Sequence, residues 1–474
     1  MSIFSGTMLI RWRDGLYNFL KIYFSAQYNH YLVRDILSEP VIPRGFRDFP
    51  PEVMILRKKI LSKIERIFQR YGFDPFDTPA IEYLETLSGK YGEEAENKLM
   101  WRFKDPWSER WYALRYDLTV PMARYVAMNR HIPMPFKRYH IAPVWRHEEP
   151  QKGRYREFYQ CDVDIVGSPY PEADAEILEV VWKVFREFGF ESVKILVNDR
   201  RILRGVFEKE LSISDPMPVY RAVDKLDKIG VEGVENELKN IGLNEDLVRK
   251  IMKTIDLRGD PSEILGRLEE MYRDNKDVIE GTKFLYEMIS YLPSGINIVF
   301  DLSLVRGLDY YTGPIFEAVV EKPRIGSLAG GGRYDDLIAL FAGEKIPSTG
   351  GSIGVERLID AGVELGIFKF DKKTVTHVFI VVLDRSREIM SYAYDVARML
   401  RENDINVSID LMRRSVSKQR EYARKLMIPL IIFIGRREYE TSKVTIYYTE
   451  AQERNEIDKQ DLVDMIRKIL GGRG

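Results

Sequence analysis

RHEEPQKGRYREFYQCDVDIVG, residues Arg146–Gly167, sets a charged, glycine-containing loop, HEEPQKGR, ahead of a strand-like run, REFYQCDVDIV. Another strand-like run, FKRYHIAPVW, leads into the loop, so the two predict an antiparallel pairing. Side chains alternate along a strand, which places Gln160, Asp162 and Asp164 on one face. That face is either exposed polar surface or a wall that meets a cationic or N–H-bearing ligand. Cys161, beside them, reads as a small buried strand residue.

The arginines ask for an anion. A planar guanidinium donates two hydrogen bonds to a phosphate and keeps its charge near neutrality. Arg146, Arg154, Arg156, Arg306 and Arg357 all stand beside glycines or at strand ends. Any one alone reads as solvated surface charge; together they suggest phosphate. LAGGGRYD and STGGSIGVER would let backbone approach a ligand where a Cβ would block it. Neither is a Walker A sequence, and GGSIGVER lacks the acidic ribose partner of a dinucleotide site.

Working outward, PPEVMILRKKILSKIERIFQRYGFDP predicts a helix: Met54, Ile55, Ile60, Ile64, Ile67 and Phe68 recur at helical spacing, and Tyr71-Gly72 stops it. Short aromatic and β-branched runs such as RWYALRYDL follow, favouring an antiparallel sheet. Residues 199–293 are rich in Lys, Glu and Leu at helical spacing and predict an inserted helical subdomain. Strand-like texture returns in INIVFDLSLVRGLDYYTGPIFEAVV. Beyond Lys373, THVFIVVL, SYAYDVARMLREN, INVSIDL, KQREYARKLM and PLIIFIGRREY alternate strand and helix, predicting a separate α/β domain.

The 474 residues, 45% hydrophobic, suffice for two or more packed domains. With 72 basic and 73 acidic side chains, any nucleic-acid contact must come from local patches. The single cysteine can form neither an internal disulfide nor a multi-thiolate metal site, which suits a reducing cytosol. No window approaches 18 uncharged apolar residues, so no membrane span is expected. A charged fraction of 31%, against a usual figure of about 25%, would suit a thermophile. The opening MLIRWRDGLYNFLKIYFSAQYNHYLVRDIL is helix-like without signal-peptide features. It is either a surface amphipathic helix, or an appendage or a mis-set start codon followed by the true domain near Val41.

RGFRDFPP, ALRYDLTVPMARYVA, the quoted stretch, LVRGLDYYTGPIFE, AGGGRYDDL and GGSIGVERL follow one another in the order seen in histidyl-tRNA synthetases. From Arg44 to its end the chain resembles that family. WRHEEPQKGRYREF is similar to motif 2 of class II synthetases, GGSIGVERL to motif 3, and LVRGLDYYTG to a signature of the histidine-specific members. RYDLTVPMARY with FYQCDVDIVG looks closest to archaeal and eukaryotic types. The resemblance implies an α+β fold: a class II antiparallel sheet flanked by helices, a helical insertion, and a separate C-terminal α/β anticodon-binding domain. The expected parts are an extension at 1–43 with no assigned role, catalytic core at 44–198 with motifs 1 and 2, insertion at 199–293, core again at 294–370 with motif 3, and anticodon-binding domain at 375–474.

The activity so implied is that of a cytoplasmic, homodimeric histidine–tRNA ligase, with TPAIE, containing Pro79, looking like the dimer motif. L-histidine, ATP with Mg²⁺, and tRNA(His) would be its partners. By motif match, Arg146 would bind the α-phosphate, and Arg154 and Arg357 the phosphate tail and adenine, with Glu148 near the adenine amino group and Phe158 stacked on the ring. Arg306 matches the family's catalytic arginine, facing the α-phosphate and the substrate carboxylate. Asp117 and Gln160, with Thr119, match positions that hold the α-amino group; Asp164 and Tyr311, with Tyr310, match those around the imidazole. No protein-held metal is assigned.

For tRNA, Gln151 and Lys152 stand in the motif 2 loop, and Arg413, Arg414, Lys418, Arg420, Arg424 and Lys425 crowd RRSVSKQREYARK. That basic run is either a solvated helix face or, given the resemblance of 375–474, a surface for tRNA. Glu149 departs from the arginine typical of bacterial members and weakens the case for direct acceptor-end contact there. Two rivals stay open: a regulatory paralogue that binds histidine as a signal, and a class II synthetase for another amino acid. The presence of Arg146, Arg306 and Arg357 argues against the first, and the pair Asp164 and Tyr311 against the second.

Overall fold

A computed structural model describes residues 40–91, 95–305 and 310–471. The chain divides into two units, Met1–Asp48 and Phe49–Gly474. Of the first, the described part is an extended stretch with one turn, closed by the Phe46 N–H on the Pro43 carbonyl at 3.0 Å. The helix expected in the opening thirty-odd residues lies outside the described residues.

Helix α1 (Pro51–Arg70) begins with proline, whose missing N–H costs nothing in a first turn, and buries Ile60, Ile64, Ile67 and Phe68 on one face. Two more helices, α2 (Thr119–Met128) and α3 (Pro171–Phe188), belong to the same half of the core. The central sheet has nine strands in the spatial order β1 (Asp74–Pro75), β5 (Phe136–Trp145), β6 (Glu157–Val166), β12 (Ser348–Gly354), β11 (Ala329–Arg333), β10 (Pro314–Val319), β7 (Lys194–Asp199), β9 (Ile298–Asp301), β8 (Arg258–Gly259). Only β1 with β5 and β7 with β9 pair in parallel. Strands β5 and β6 form the predicted antiparallel pair, from Phe136 opposite Val166 to Trp145 opposite Glu157. A small sheet of β2 (Ile81–Tyr83), β4 (Trp111–Leu114) and β3 (Arg102–Lys104) stands beside it.

The predicted insertion holds α4 (Met217–Val223), α5 (Leu226–Asn240, broken at Gly230), α6 (Glu245–Ile255), α7 (Pro261–Met271) and α8 (Lys276–Ser290). It is not purely helical, because β8 adds an edge strand to the central sheet against β9. Its apolar residues Val219, Leu265 and Leu285 join the same buried cluster as Ile64, Val163 and Val197 of the core. After the sheet resumes, α9 (Val355–Glu364) leaves β12 directly. Glu356 in its first turn accepts from buried Arg57 of α1 at 2.6 Å and from the Tyr159 N–H at 3.0 Å. Removing either partner of this buried ion pair would strand a charge, at about 3–5 kcal/mol.

The C-terminal segment forms its own sheet, in the order β14 (Val407–Ile409), β13 (Val378–Val382), β15 (Leu430–Ile434), β16 (Lys443–Tyr448), β17 (Glu453–Asp458), with helices α10 (Arg387–Glu402), α11 (Val416–Lys425) and α12 (Leu462–Gly471). The run VFIVV is continuously apolar because both faces of β13 are covered: Val378 and Ile380 enter one buried cluster, Phe379 and Val381 another. Strands β16 and β17 add an antiparallel pair to the strand–helix alternation.

Candidate active site

Strands β5, β6 and β12 set their residues in rows across the sheet. Arg138 stands opposite Asp164, and Asp164 opposite Gly350; the next row is His140, Asp162, Ser352, and the next Ala142, Gln160, Gly354. Partners in a row project from one face, so the small residues of β12 leave a hollow beside the polar ones of β6. A cavity of about 360 Å³ opens there. Gln160, Asp162 and Asp164 line it at 8%, 2% and 2% exposure, so this face is a buried wall and not open polar surface. Gly350 is required by space, since a Cβ would lie 2.1 Å from Asp164 Oδ1. Cys161 is buried, as expected.

The acid end is fixed by side chains. Wholly buried Arg138 pairs with Asp164 Oδ2 at 2.7 Å and donates to the Leu118 carbonyl at 3.3 Å, while the Tyr334 hydroxyl donates to Asp164 Oδ1. Asp117 Oδ1 accepts from the Tyr91 hydroxyl at 2.9 Å and from the Val120 N–H at 3.0 Å; its Oδ2 accepts from Tyr310 at 3.3 Å. Burial pushes the carboxyls of Asp117 and Asp164 above the ordinary range. Asp162 is pushed up to about 8, by burial first, with Arg138 opposing and Asp164 adding to the rise.

The arginine end is held by backbone oxygens. Arg146 donates to the Tyr116 carbonyl at 3.1 Å and lies over the rings of Tyr116 and Phe158 at 4.4 and 5.1 Å. Arg357, in the first turn of α9, donates to the carbonyls of Gly153 and Ser327 at 3.0 and 2.8 Å. Gly153 adopts a φ of 73°, and a Cβ there would lie 2.7 Å from Ile325 Cγ1. Arg154 meets Glu148 at 3.1 Å. Carbonyls satisfy N–H groups without cancelling their charge. Burial, then the neighbouring cations Arg154 and Arg146, accordingly push Arg357 down to about 10, a strain that an anion would relieve.

Asp117, Thr119, Arg146, Glu148, Arg154 and Phe158 all line the cavity, as do Gln160, Asp164, Tyr310, Tyr311 and Arg357. Arg306 lies outside the described residues. Gln151 and Lys152 sit on the loop away from the lining: Gln151 closes a tight turn with Arg154, and Lys152 pairs with Glu364 of α9. Glu149 is exposed on the same loop. In the C-terminal sheet Arg413, Lys418, Arg420, Arg424 and Lys425 are exposed. Arg414 turns inward instead, 3.6 Å from Asp410 and 4.2 Å over the Tyr422 ring.

Nothing in the local sequence marks Arg138, Tyr334 or Ser352 as part of the site, and the strand alternation puts Asp162 on the wall without giving it a role. The alternation that exposed Asp162 was legible; the position of Arg138 needed the β5–β6 register. Asp224 and Lys228, from the inserted run, also line the cavity, and nothing in their Lys- and Glu-rich surroundings marks them.

A mostly antiparallel sheet that brings a basic loop, a glycine strand and an arginine-bearing helix start to one cavity is the architecture of class II aminoacyl-tRNA ligases. A family model described as histidyl-tRNA synthetase matches residues 45–358, and one described as anticodon binding domain matches 377–469. The histidine–tRNA ligase of Aeropyrum pernix is 58% identical over 433 residues, spanning 91% of this chain and 99% of that protein. That of Korarchaeum cryptofilum is 57% identical over 429 residues, spanning 90% and 99%. The crystal structure of histidyl-tRNA synthetase from Nostoc sp. PCC 7120 superposes with a TM-score of 0.77 at 30% identity, over 91% of this chain and 99% of that one. The chain belongs to the histidyl-tRNA synthetase family.

Proposed function

We propose that this cavity makes histidyl-adenylate and then histidyl-tRNA(His). The observation that carries the assignment is the cavity's polarity: buried acids at one end, carbonyl-held arginines at the other. In the first step a carboxylate oxygen of histidine attacks the α-phosphorus of ATP, the bond to the β-phosphate breaks, and pyrophosphate leaves. Negative charge grows on phosphate oxygens, and Arg146, with Arg306, stabilises it. Arg154 and Arg357 hold the phosphate tail and adenine, Glu148 faces the adenine amino group, and Phe158 stacks on the ring. In the second step a hydroxyl of the terminal tRNA adenosine attacks the acyl carbon and AMP leaves.

At the acid end, Asp117, Thr119 and Gln160 take the α-ammonium, and Asp164 and Tyr311, beside Tyr310, read the imidazole. A site that hydrogen-bonds both ring nitrogens rejects analogues lacking them by about 10⁴ or more. Mg²⁺ would arrive on the nucleotide's phosphates: among the described residues no group of three or more His, Cys, Asp or Glu side chains could cage it. We place the enzyme in the cytoplasm as a homodimer, with residues 44–198 and 294–370 as core, 199–293 as insertion and 375–474 as the tRNA-reading domain, where Arg413, Lys418 and Arg420 face tRNA. Among the described residues no helix is long and apolar enough to cross a membrane.

ATP–pyrophosphate exchange, run with each of the twenty amino acids and no tRNA, tests the assignment. Exchange with histidine alone is the expected result. Silence with all twenty alongside measurable histidine binding would favour the regulatory paralogue.

A further inference from the structure

Resting on the assignment of this cavity to histidine, we propose that Asp162 is a specificity-determining residue that takes the substrate's α-ammonium together with Asp117 and Gln160. Its carboxyl lines the cavity from the middle of β6, at 2% exposure, between Gln160 and Asp164 on the same strand face. One side of it is anchored: the Ser352 hydroxyl, which accepts from Gln160 Nε2, also hydrogen-bonds the Asp162 carboxyl. The other side is not. Asp162 Oδ1 has no hydrogen-bond partner among the described residues, and neither has Gln160 Oε1. Buried acceptors are normally satisfied, and two of them on one strand face call for a ligand with several N–H donors. An ammonium brings three and a full charge. A neutral imidazole brings one, which Asp164 and Tyr311 already serve.

The charges around Asp162 point the same way. From β5 it is faced by Arg138 and by its row partner His140, from β12 by uncharged Ser352, along β6 by Asp164, and from the segment before α2 by Asp117 and Arg115. Arg138 reaches Asp164 at 2.7 Å through Nη2, and although its Nε and Nη1 have no hydrogen-bond partner among the described residues, it makes no ion pair with Asp162. Arg115 is turned to Asp77 and to the carbonyls of Thr78 and Pro143. His140 is held neutral, pushed down to about 3 by burial and by Arg138 and Arg115, against the pull of Asp77. Asp162 therefore has no cation of its own, and burial keeps its carboxyl protonated near neutrality, with a pKa of about 8. When an ammonium arrives, the carboxyl's O–H proton passes to solvent and the carboxylate accepts an N–H from the ammonium. Binding of the amino acid is thereby coupled to release of a proton.

Isothermal titration calorimetry of the full chain near pH 7, in buffers of different ionisation enthalpy, counts that proton. L-Histidine should release most of one proton, and 3-(imidazol-4-yl)propionate, which lacks the amine, essentially none. Asp162→Asn should abolish the release and weaken L-histidine by about tenfold or more, leaving the propionate's affinity unchanged; retained ATP binding checks that the variant is folded. The comparison of the two ligands on the unmodified protein decides without any variant. Equal release with the propionate, or unchanged histidine affinity in folded Asp162→Asn, overturns the role of Asp162. Failure of the unmodified protein to bind histidine, with another amino acid bound instead, removes the assignment of the whole cavity.

Discussion

The two ends of the cavity hold charge in opposite ways. At the acid end Asp164 is gripped by Arg138 and Tyr334, side chain to side chain, in a row fixed by strand register. At the other end Arg146 and Arg357 are gripped by carbonyls of Tyr116, Gly153 and Ser327, which orient them; the charge of Arg357 stays unspent, whereas at Arg146 burial is outweighed by Tyr116 and the nearby carboxylates of Glu148 and Asp117. A template for one small amino acid gains from being rigid and neutralised in advance. A site for a nucleotide that accumulates negative charge during reaction gains from cations already in place with no counter-ion to displace. Arg154, paired with Glu148, is the partial exception at this end.

The sharpest break of this contrast is Arg146→Ala. It should cut histidine-dependent pyrophosphate exchange by about 10²–10³ while histidine affinity, read by calorimetry, moves little; equal loss of both would mean the two ends are not separate. Next comes Gly350→Ala, whose Cβ would collide with Asp164 Oδ1 at 2.1 Å. Misplacing the carboxylate should lower kcat/KM for histidine by about 10² and spare KM for ATP, and a uniform fall in both would assign Gly350 to the fold alone.

A pH series sharpens the acid end. The folded pKa of Asp162, about 8, is raised above the unfolded value of about 3.9. Between those values the folded state holds a proton that the unfolded state lacks. The contribution of this group to stability is therefore complete below about pH 4 and is lost as pH rises through 8. In denaturant titrations Asp162→Asn should flatten the fall in stability of the core over that window, and a parallel curve would count against a buried protonated acid. The smallest effect is expected far from the cavity. Exposed Lys418→Ala should raise KM for tRNA by about two- to fivefold, more at low salt, with exchange untouched, whereas any change in exchange would deny the division of labour.

The β5–β6 pair and its acids were legible because a turn-rich loop flanked by alternating runs is a local signal. The rows were not, since β12 pairs with β6 across nearly two hundred residues of intervening chain, and no local pattern announces that Gly350 will face Asp164. Arg138 illustrates the difficulty: in FKRYHIAPVW it looks like surface charge, yet it is wholly buried beside Asp164. Strand β17, ERNEID, has no alternation to read because all its residues are exposed or half-exposed. The two-residue strand β8 is too short to stand out from the helices around it.

Asp117 does two jobs with one carboxylate. Its Oδ1 secures the first turn of α2 through Val120, and the same group borders the ligand cavity. Asparagine would secure the turn equally well and bring no charge; glutamate would bring the charge on a longer arm that no longer fits the turn. A single carbon's length thus separates a side chain that serves both purposes from two that each serve one. Whatever tugs on the carboxylate from the cavity therefore tugs on the helix as well.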